Sequence, residues 1–166
     1  VLELQKAEVE EQKHIIEERN KEVTDSIISA QRIQQALMAT ESLLQSQLKE
    51  YFIFFKPKDI VSGDFYWATR IVDKGKELFY LGICDSTGHG VPGAFMSLLG
   101  ISFLNEIVLE RNVGEPNEIL SDLRAEIKKA FTDKDTNNEM NDGMDCVLCK
   151  FNPATNMLHY AAANNS

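Results

Sequence analysis

The chain has 166 residues, with 17 Lys and Arg against 26 Asp and Glu, a formal net charge of −9, and 43% hydrophobic residues. These are the proportions of a folded globular protein, and they exclude disordered and collagen-like chains. The acidic balance disfavours nucleic acid and anionic lipid as partners, because both favour basic surfaces. No apolar run approaches the roughly 20 residues of a membrane span, and the first residues lack the pattern of a signal peptide.

The first forty residues form a segment of their own, rich in Glu, Gln and Lys and without Pro or Gly. One apolar position recurs every seven residues, at Leu2, Val9, Ile16, Val23, Ala30 and Leu37. This spacing predicts a coiled-coil helix, although the second heptad seam is mostly polar and favours only a weak dimer or packing on another element. A solvated spacer and a signalling helix that carries a change from an upstream sensor remain open. We divide the chain into this helix, residues 1–40, and a globular domain, residues 41–166.

The second half of the helical segment has a broader apolar face and is predicted to dock on the globular domain. Its members are Ile27, Ile28, Ile33, Leu37, Leu43, Leu44 and Leu48. The apolar run from Tyr51 to Pro57 then predicts a buried strand that ends at the proline.

Two strand-like runs, residues 64–72 and 77–85, flank Lys74 and Gly75 and predict a hairpin, since glycine suits the positive φ of a tight turn. In this register, paired residues have numbers that sum to 149, so Asp64 lies opposite Asp85. Opposed residues share a face of the sheet, with their Cβ atoms about 5 Å apart.

The rest of the chain predicts two helices and two strands. Pro92 and Gly93 open a helix over residues 94–111 that is apolar almost all round and is therefore expected to be buried between layers. Pro116 opens a second helix. After a polar loop over 133–142, strands are predicted at 146–151 and 157–163. The order lacks β-α-β alternation, which favours an α+β fold with a mainly antiparallel sheet and helices packed on it.

Three cysteines, Cys84, Cys146 and Cys149, in a chain without an export signal indicate free thiols and a cytoplasmic location. Cys146 and Cys149 form a C-x-x-C pattern in a predicted strand, where residues three apart point to opposite faces. Core cysteines are therefore favoured over a zinc site or a redox pair.

Two opposed carboxylates destabilise a fold unless solvent screens them, a proton joins them or a cation lies between them. The D-[TS]-G pattern of proton-sharing aspartic proteases is absent, whereas Mg²⁺ and Mn²⁺ favour carboxylate and carbonyl oxygens. Gly88, His89 and Gly90 bend the backbone near the pair and precede a helix N-terminus that offers N–H groups to an anion, so they are candidate substrate-binding residues. Metal-assisted phosphoryl chemistry and a purely structural acidic pair both remain open.

The segments 54–67 and 85–97 closely resemble the SpoIIE/RsbU branch of the metal-dependent (PPM, type 2C) protein serine/threonine phosphatases. The short motifs at 142–145 and 160–165 are similar to the same family. Asp142 and Asp145 flank Gly143 and Met144 before a strand, which a tight turn explains, and an outer metal contact for Asp142 is a weaker interpretation. The helical stretch 26–37 resembles the linker that joins this domain to sensor or repeat modules in bacterial regulators.

The resemblance implies an α-β-β-α sandwich that uses two Mn²⁺ or Mg²⁺ ions to activate water against a phosphoserine or phosphothreonine on a regulatory protein, often a STAS-domain antagonist. By motif, Asp64 and Asp85 are catalytic metal ligands, and the main-chain carbonyl of Ser86 is another ligand. The implied partners are an upstream sensor or repeat domain and a second copy of the chain, joined through the N-terminal helix.

Members of this family carry further metal-ligating aspartates beyond the point that corresponds to Ser166. We therefore expect an incomplete sandwich that is inactive by itself. Two other functions stay open: a non-catalytic signalling or dimerisation module, and a metal-dependent phosphohydrolase of a small molecule.

Overall fold

The computed structural model describes residues 2–73, 75–112, 114–131 and 143–164. The helices are α1 (Leu2–Leu37), α2 (Glu41–Gln47), α3 (Gly90–Asn105), which continues as a π-helical turn over Glu106–Glu110, and α4 (Pro116–Phe131). The strands are β1 (Phe65–Asp73), β2 (Lys76–Ser86), β3 (Met144–Asn152) and β4 (Met157–Ala163). The predicted α+β class is confirmed. The predicted loop 133–142 and the turn residue Lys74 lie outside the described residues.

The four strands form one antiparallel sheet in the order β1-β2-β3-β4. The hairpin register is confirmed, since Phe65 pairs with Cys84 and Asp73 pairs with Lys76. Gly75 has a φ of +78°, which a tight hairpin turn requires. The register therefore brings the start of β1 and the end of β2 to the same edge of the sheet.

One face of the sheet packs against α3 and α4 and forms the core. The strands contribute Phe65, Trp67, Tyr80, Cys84, Cys146 and Leu148 to this core. The opposite face is open and largely apolar: Ile83 is 60% exposed and Tyr160 is 71% exposed. The described residues thus form a single sheet with helices on one side, whereas the resemblance implies two sheets.

From the sequence, no apolar run near the length of a membrane span is expected, but the helical stretch from Gly90 to Glu110 is, by length and composition alone, long and apolar enough to cross a membrane. Half of it is buried in the protein, and Leu104 and Ile107 are fully enclosed in the core, as in any packed core helix. The prediction that this helix is buried on all sides is wrong at Phe95, which is 64% exposed. Helix α3 is covered by the sheet on one side only.

The predicted strand from Tyr51 to Pro57 is wrong. This segment is irregular, and Phe52 and Phe54 are 90% and 85% exposed. A strand needs a neighbouring edge, and at the free edge of β1 the carbonyl of Tyr66 instead accepts a hydrogen bond from the backbone N–H of Ala39, between α1 and α2. The apolar run therefore lies beside the sheet without joining it.

Helix α1 is continuous, and its last turns dock on the domain, as predicted. Most of the predicted apolar face is covered, with Leu44 buried and four others half-buried: Ile27, Ile28, Leu43 and Leu48. The prediction is wrong at Ile33 and Leu37, which are 59% and 48% exposed, whereas Gln34 and Met38 are buried. Gln34 and Met38 are four positions apart, which is the spacing of residues on one face of a helix. The docking face therefore contains a polar residue, Gln34. The division between helix and domain at residue 40 stays a prediction.

Two of the cysteines face each other across β2 and β3. Cys84 pairs with Cys146 in register, their Sγ atoms are 2.8 Å apart, and both side chains are buried. The hydrogen bond with Cys146, followed by burial, raises the pKa of Cys84, so the Cys84 thiol stays protonated. The prediction of core cysteines at Cys146 and Cys149 is confirmed for Cys146, whereas Cys149 is only half-buried on the other face of the sheet.

Candidate functional site

The predicted acidic pair is present at the edge of the sheet where β1 begins. Asp64 directly precedes β1, and continuing the β1–β2 register places it opposite Asp85. Partial burial, then a side-chain hydrogen bond with Asp85, then the charge of Asp85 raise the pKa of Asp64. Two carboxyl groups in such contact favour a shared proton or a bound cation.

Close contacts between glycines bring the two aspartates together. A Cβ atom on Gly63 would lie 2.7 Å from the carbonyl oxygen of Gly88 and 2.9 Å from that of Ser86. A Cβ atom on Gly93 would lie 2.6 Å from the same Gly88 oxygen. Only residues without a side chain allow backbone segments to approach this closely. The turn before Asp64 therefore lies against the loop that follows β2, with the Ser86 carbonyl oxygen beside it.

A third carboxylate, Asp145, lies in the same row of the sheet. It pairs with Asp85 in the β2–β3 register, so both side chains are on the open face. Beyond this pair, the Thr87 backbone N–H and hydroxyl donate to the Gly143 carbonyl, at 2.9 and 3.0 Å, and the Gly143 N–H lies 3.0 Å from the Thr87 hydroxyl.

The sequence interpretation assigned Asp145 to a tight turn and missed this position. The family-like motif at 142–145 contains Asp145, but the position of Asp145 beside Asp85 follows from the pairing of β3 with β2, which is a long-range contact. Asp142, a weaker candidate for an outer metal contact, lies outside the described residues.

The predicted substrate-binding residues surround the start of α3. His89 is the N-cap residue, and Gly88 and Gly90 have φ values of +94° and +63°. The Nδ1 atom of His89 lies 2.9 Å from the Oδ2 atom of Asp59. The first turn of a helix has N–H groups without intrahelical partners, which suit an anion.

A buried glutamine links the N-terminal helix to this edge of the sheet. The side-chain amide of Gln34 donates to the Ser62 carbonyl and to the Ser97 hydroxyl, and its oxygen accepts from the Ser62 N–H at 3.1 Å. Ser62 is two residues before Asp64, and Ser97 is on α3. The sequence interpretation missed Gln34 because it looked for an apolar docking face.

A cavity of about 480 Å³ opens on the uncovered face of the sheet. Its lining includes Asp64 and Asp85, Tyr66 and Ile83, and the irregular segment 51–56. The acidic pair thus borders a space that a ligand or another protein segment can enter.

The donor set at this edge consists of oxygen atoms. Across the described ranges, no group of three or more His, Cys, Asp and Glu side chains is close enough to hold a metal ion. Asp64 and Asp85 nevertheless provide two carboxylates in contact, and the Ser86 carbonyl oxygen lies beside Gly63. Carboxylate and carbonyl oxygens fit Mg²⁺ or Mn²⁺ and do not fit a soft metal.

The antiparallel sheet with helices on one face has the fold of a PP2C-type phosphatase domain, a class that is metal-dependent in general. It is similar to the solved SiaA-PP2C domain of Pseudomonas aeruginosa, with a TM-score of 0.70 and 28% identity. The match covers 87% of this chain and 54% of that chain, so this chain spans about half of the solved domain. The chain belongs to the Stage II sporulation protein E (SpoIIE) family, whose sequence profile matches residues 75–166, more than half of its length. No curated protein matches it.

The resemblance to the SpoIIE branch of the PPM phosphatases is therefore confirmed. The family match contains Asp85, the Gly88–Gly90 segment and Asp145, and it begins after Asp64. Membership places the chain in a class of phosphatase hydrolases.

Proposed function

We propose that this domain is a signalling phosphatase that hydrolyses phosphoserine or phosphothreonine on a regulatory protein, with two Mn²⁺ or Mg²⁺ ions as cofactors. The observation that carries this proposal is the contact between the carboxyl groups of Asp64 and Asp85. An acidic pair at the end of a hairpin is unfavourable without a proton or a cation, and the phosphatase class supplies the reason for a cation.

We assign the carboxylates of Asp64 and Asp85 and the main-chain carbonyl of Ser86 as metal ligands. When bound, the ions lower the pKa of water and offset negative charge on the transferring phosphoryl group. Each ion takes about six oxygen ligands, so water and further protein oxygens must complete the coordination. Asp145, opposite Asp85, is the nearest additional carboxylate in the row of described strands.

Gly88, His89 and Gly90 are placed to receive the phosphoryl group. The glycines keep side chains away from the backbone N–H groups at the start of α3, and these groups can donate to phosphoryl oxygens. The imidazole of His89 adds a donor or acceptor on the same loop. The substrate we favour is a phosphorylated STAS-like regulatory protein.

The N-terminal helix gives the domain a route for regulation. Gln34 bonds both to the loop before Asp64 and to α3, so a rotation or shift of α1 would alter the spacing of these two elements. We propose that α1 forms a parallel or antiparallel homodimer and transmits the state of an upstream sensor or repeat domain through this glutamine. The exposed seam residues Val9, Ile16 and Val23 support a partner along the helix.

The test compares phosphate release from a phosphoserine-carrying STAS-like protein and from p-nitrophenyl phosphate, with and without Mn²⁺. The enzyme is the protein that carries this domain at its natural length. We expect Mn²⁺-dependent turnover of the phosphoprotein, and its loss by a factor of at least about a thousand in Asp64→Ala and Asp85→Ala. Asp73→Ala, at the other end of β1, is the matched control and should retain activity.

Two results would contradict the proposal. Unchanged turnover in Asp64→Ala and Asp85→Ala would overturn the metal assignment, and turnover of p-nitrophenyl phosphate alone would favour a small-molecule phosphohydrolase. For the 166-residue chain by itself we expect weak Mn²⁺ binding and little turnover, because the described carboxylates supply only part of a two-ion site. Substantial Mn²⁺-dependent turnover by this chain would contradict that expectation.

A further inference from the structure

An exposed aspartate outside the acidic pair contacts the histidine of the substrate loop. The Oδ2 atom of Asp59 lies 2.9 Å from the Nδ1 atom of His89, and the two residues are 30 positions apart in the sequence. An ionised carboxylate has no proton to donate, so Nδ1 must carry the hydrogen of this bond. The contact therefore defines which ring nitrogen is protonated in the neutral imidazole.

The backbone leaves room for the Asp59 carboxylate. Gly90 has a φ of +63°, and a Cβ atom there would lie 3.4 Å from the Oδ2 atom of Asp59. His89 is the N-cap residue of α3 but makes no side-chain hydrogen bond to the helix. The ring is thus held by Asp59 instead of capping the helix.

The other nitrogen of the ring is accessible at the edge of the acidic site. The His89 side chain is 69% exposed, so Nε2 can reach solvent or a ligand. His89 adjoins Gly88, whose carbonyl oxygen is packed against Gly63, the residue before Asp64. The backbone of His89 therefore adjoins the turn that carries Asp64.

We propose that Asp59 is a positioning residue that holds His89 through Nδ1, so that the Nε2–H of the protonated ring can donate to the phosphoryl group of the substrate. This inference rests on the proposed phosphatase function and adds to it a residue that the motif assignment left without a role. Asp59 accepts the Nδ1–H bond in both the neutral and the protonated ring, so it sets the orientation in either state.

A purely structural role makes a different prediction. A carboxylate near a helix N-terminus stabilises the helix through its dipole, by about 0.3–1 kcal/mol at exposed sites. If Asp59 served only α3, its removal would lower the free energy of unfolding but would leave the tautomer of His89 unchanged. The tautomer of the His89 ring therefore distinguishes a positioning role of Asp59 from a purely structural one.

The first measurement is the ¹⁵N NMR spectrum of the His89 ring in this chain, above about pH 8, where an ordinary imidazole is neutral. We expect Nδ1 to be protonated in the natural sequence and the Nε2-protonated form to appear in Asp59→Ala. Asp59→Asn retains an acceptor oxygen and should preserve the natural tautomer. Asp73→Ala should leave the spectrum unchanged. The His89 ring signals are identified as those that disappear in His89→Gln.

The second measurement uses the natural-length protein and a phosphoserine protein as substrate. We expect Asp59→Ala to raise KM about tenfold with little change in kcat, as for loss of a charged hydrogen bond in substrate binding. Asp59→Asn should reverse most of this rise in KM. In a His89→Ala background, Asp59→Ala should have no further effect, because the two residues act as one unit.

An Nε2-protonated ring in the natural sequence, or an Nδ1-protonated ring in Asp59→Ala, would overturn the inference. So would an unchanged KM in a folded Asp59→Ala enzyme that otherwise turns over its substrate. Absence of phosphatase activity in the unaltered protein would instead refute the proposed function, and the tautomer would still decide whether Asp59 orients His89.

Discussion

The side chain of Gln34 exchanges two hydrogen bonds with the backbone of Ser62, across 28 residues of sequence. The glutamine is only 3% exposed and also bonds to the Ser97 hydroxyl at 2.6 Å. One polar side chain thus joins the N-terminal helix, the turn before Asp64 and the helix that follows the substrate loop.

Removal of this glutamine should destabilise the domain. Gln34→Ala removes the side-chain partner of the buried Ser62 N–H and carbonyl, whereas the Ser97 hydroxyl keeps its hydrogen bond to the Ala94 carbonyl. We expect a loss of about 1–3 kcal/mol in the free energy of unfolding. Urea denaturation measures this loss. Gln35→Ala, on the exposed side of the same helix, should change stability by less than about 0.5 kcal/mol. Equal effects of the two substitutions would show that the contact is energetically unimportant.

Neutralising Asp64 should stabilise the metal-free domain. Because its pKa is raised in the folded state, the stability contributed by this carboxyl is complete below the ordinary pKa of 3.8 and is lost as the pH rises through the raised value. Asp64→Asn should therefore increase stability at pH 7 by up to about 1 kcal/mol, a limit set by solvent screening. The difference in stability between Asp64→Asn and the unaltered protein should disappear in acid. Urea unfolding of both proteins across the pH range measures this difference.

The same variant should lose its response to metal. We expect Mn²⁺ to raise the melting temperature of the unaltered chain and not that of Asp64→Asn, since binding to the folded state alone stabilises it. Asp73→Asn, remote from the pair, should respond to Mn²⁺ as the unaltered chain does. An equal shift in all three proteins would place the metal elsewhere.

A methyl group at Gly93 should disrupt the site by steric conflict. The added Cβ would lie 2.6 Å from the Gly88 carbonyl oxygen and 3.0 Å from the Gly63 Cα atom, so the backbone must move. We expect Gly93→Ala to cost about 1–3 kcal/mol and to weaken Mn²⁺ binding. Gly114→Ala, whose added Cβ has no neighbour closer than 3.8 Å, should be tolerated. Calorimetric melting and Mn²⁺ titration of both variants test this contrast.

The apolar seam of α1 predicts association through the helix. Ile16 lies on the seven-residue seam and is 58% exposed, whereas its neighbour Ile15 is off the seam and 50% exposed. We expect Ile16→Glu to convert a dimer into a monomer in sedimentation equilibrium, because it places two charges in the seam. Ile15→Glu is the matched control and should remain dimeric. A monomeric unaltered chain at all concentrations would contradict the proposed dimer.

Local patterns were sufficient to predict the hairpin and its acidic pair. The turn at Gly75 sets the register, and a hairpin register extends by pairing residues one by one from the turn to Asp64 and Asp85. The apolar run from Tyr51 to Pro57 failed as a predictor, because strand formation depends on an available edge. The backbone N–H of Ala39 contacts that edge of β1 at Tyr66.

By itself, the sequence determined the α+β class, the order of most helices and strands, the opposed aspartates and the resemblance to the SpoIIE phosphatases. These features depend on short-range periodicity and on motifs of contiguous residues. Only the tertiary structure decided that Gln34 contacts Ser62, that Asp145 lies beside Asp85 and that Asp59 holds His89. Each is a contact between polar residues distant in the chain, and such residues leave no periodic signal because their partners are set by how the elements pack.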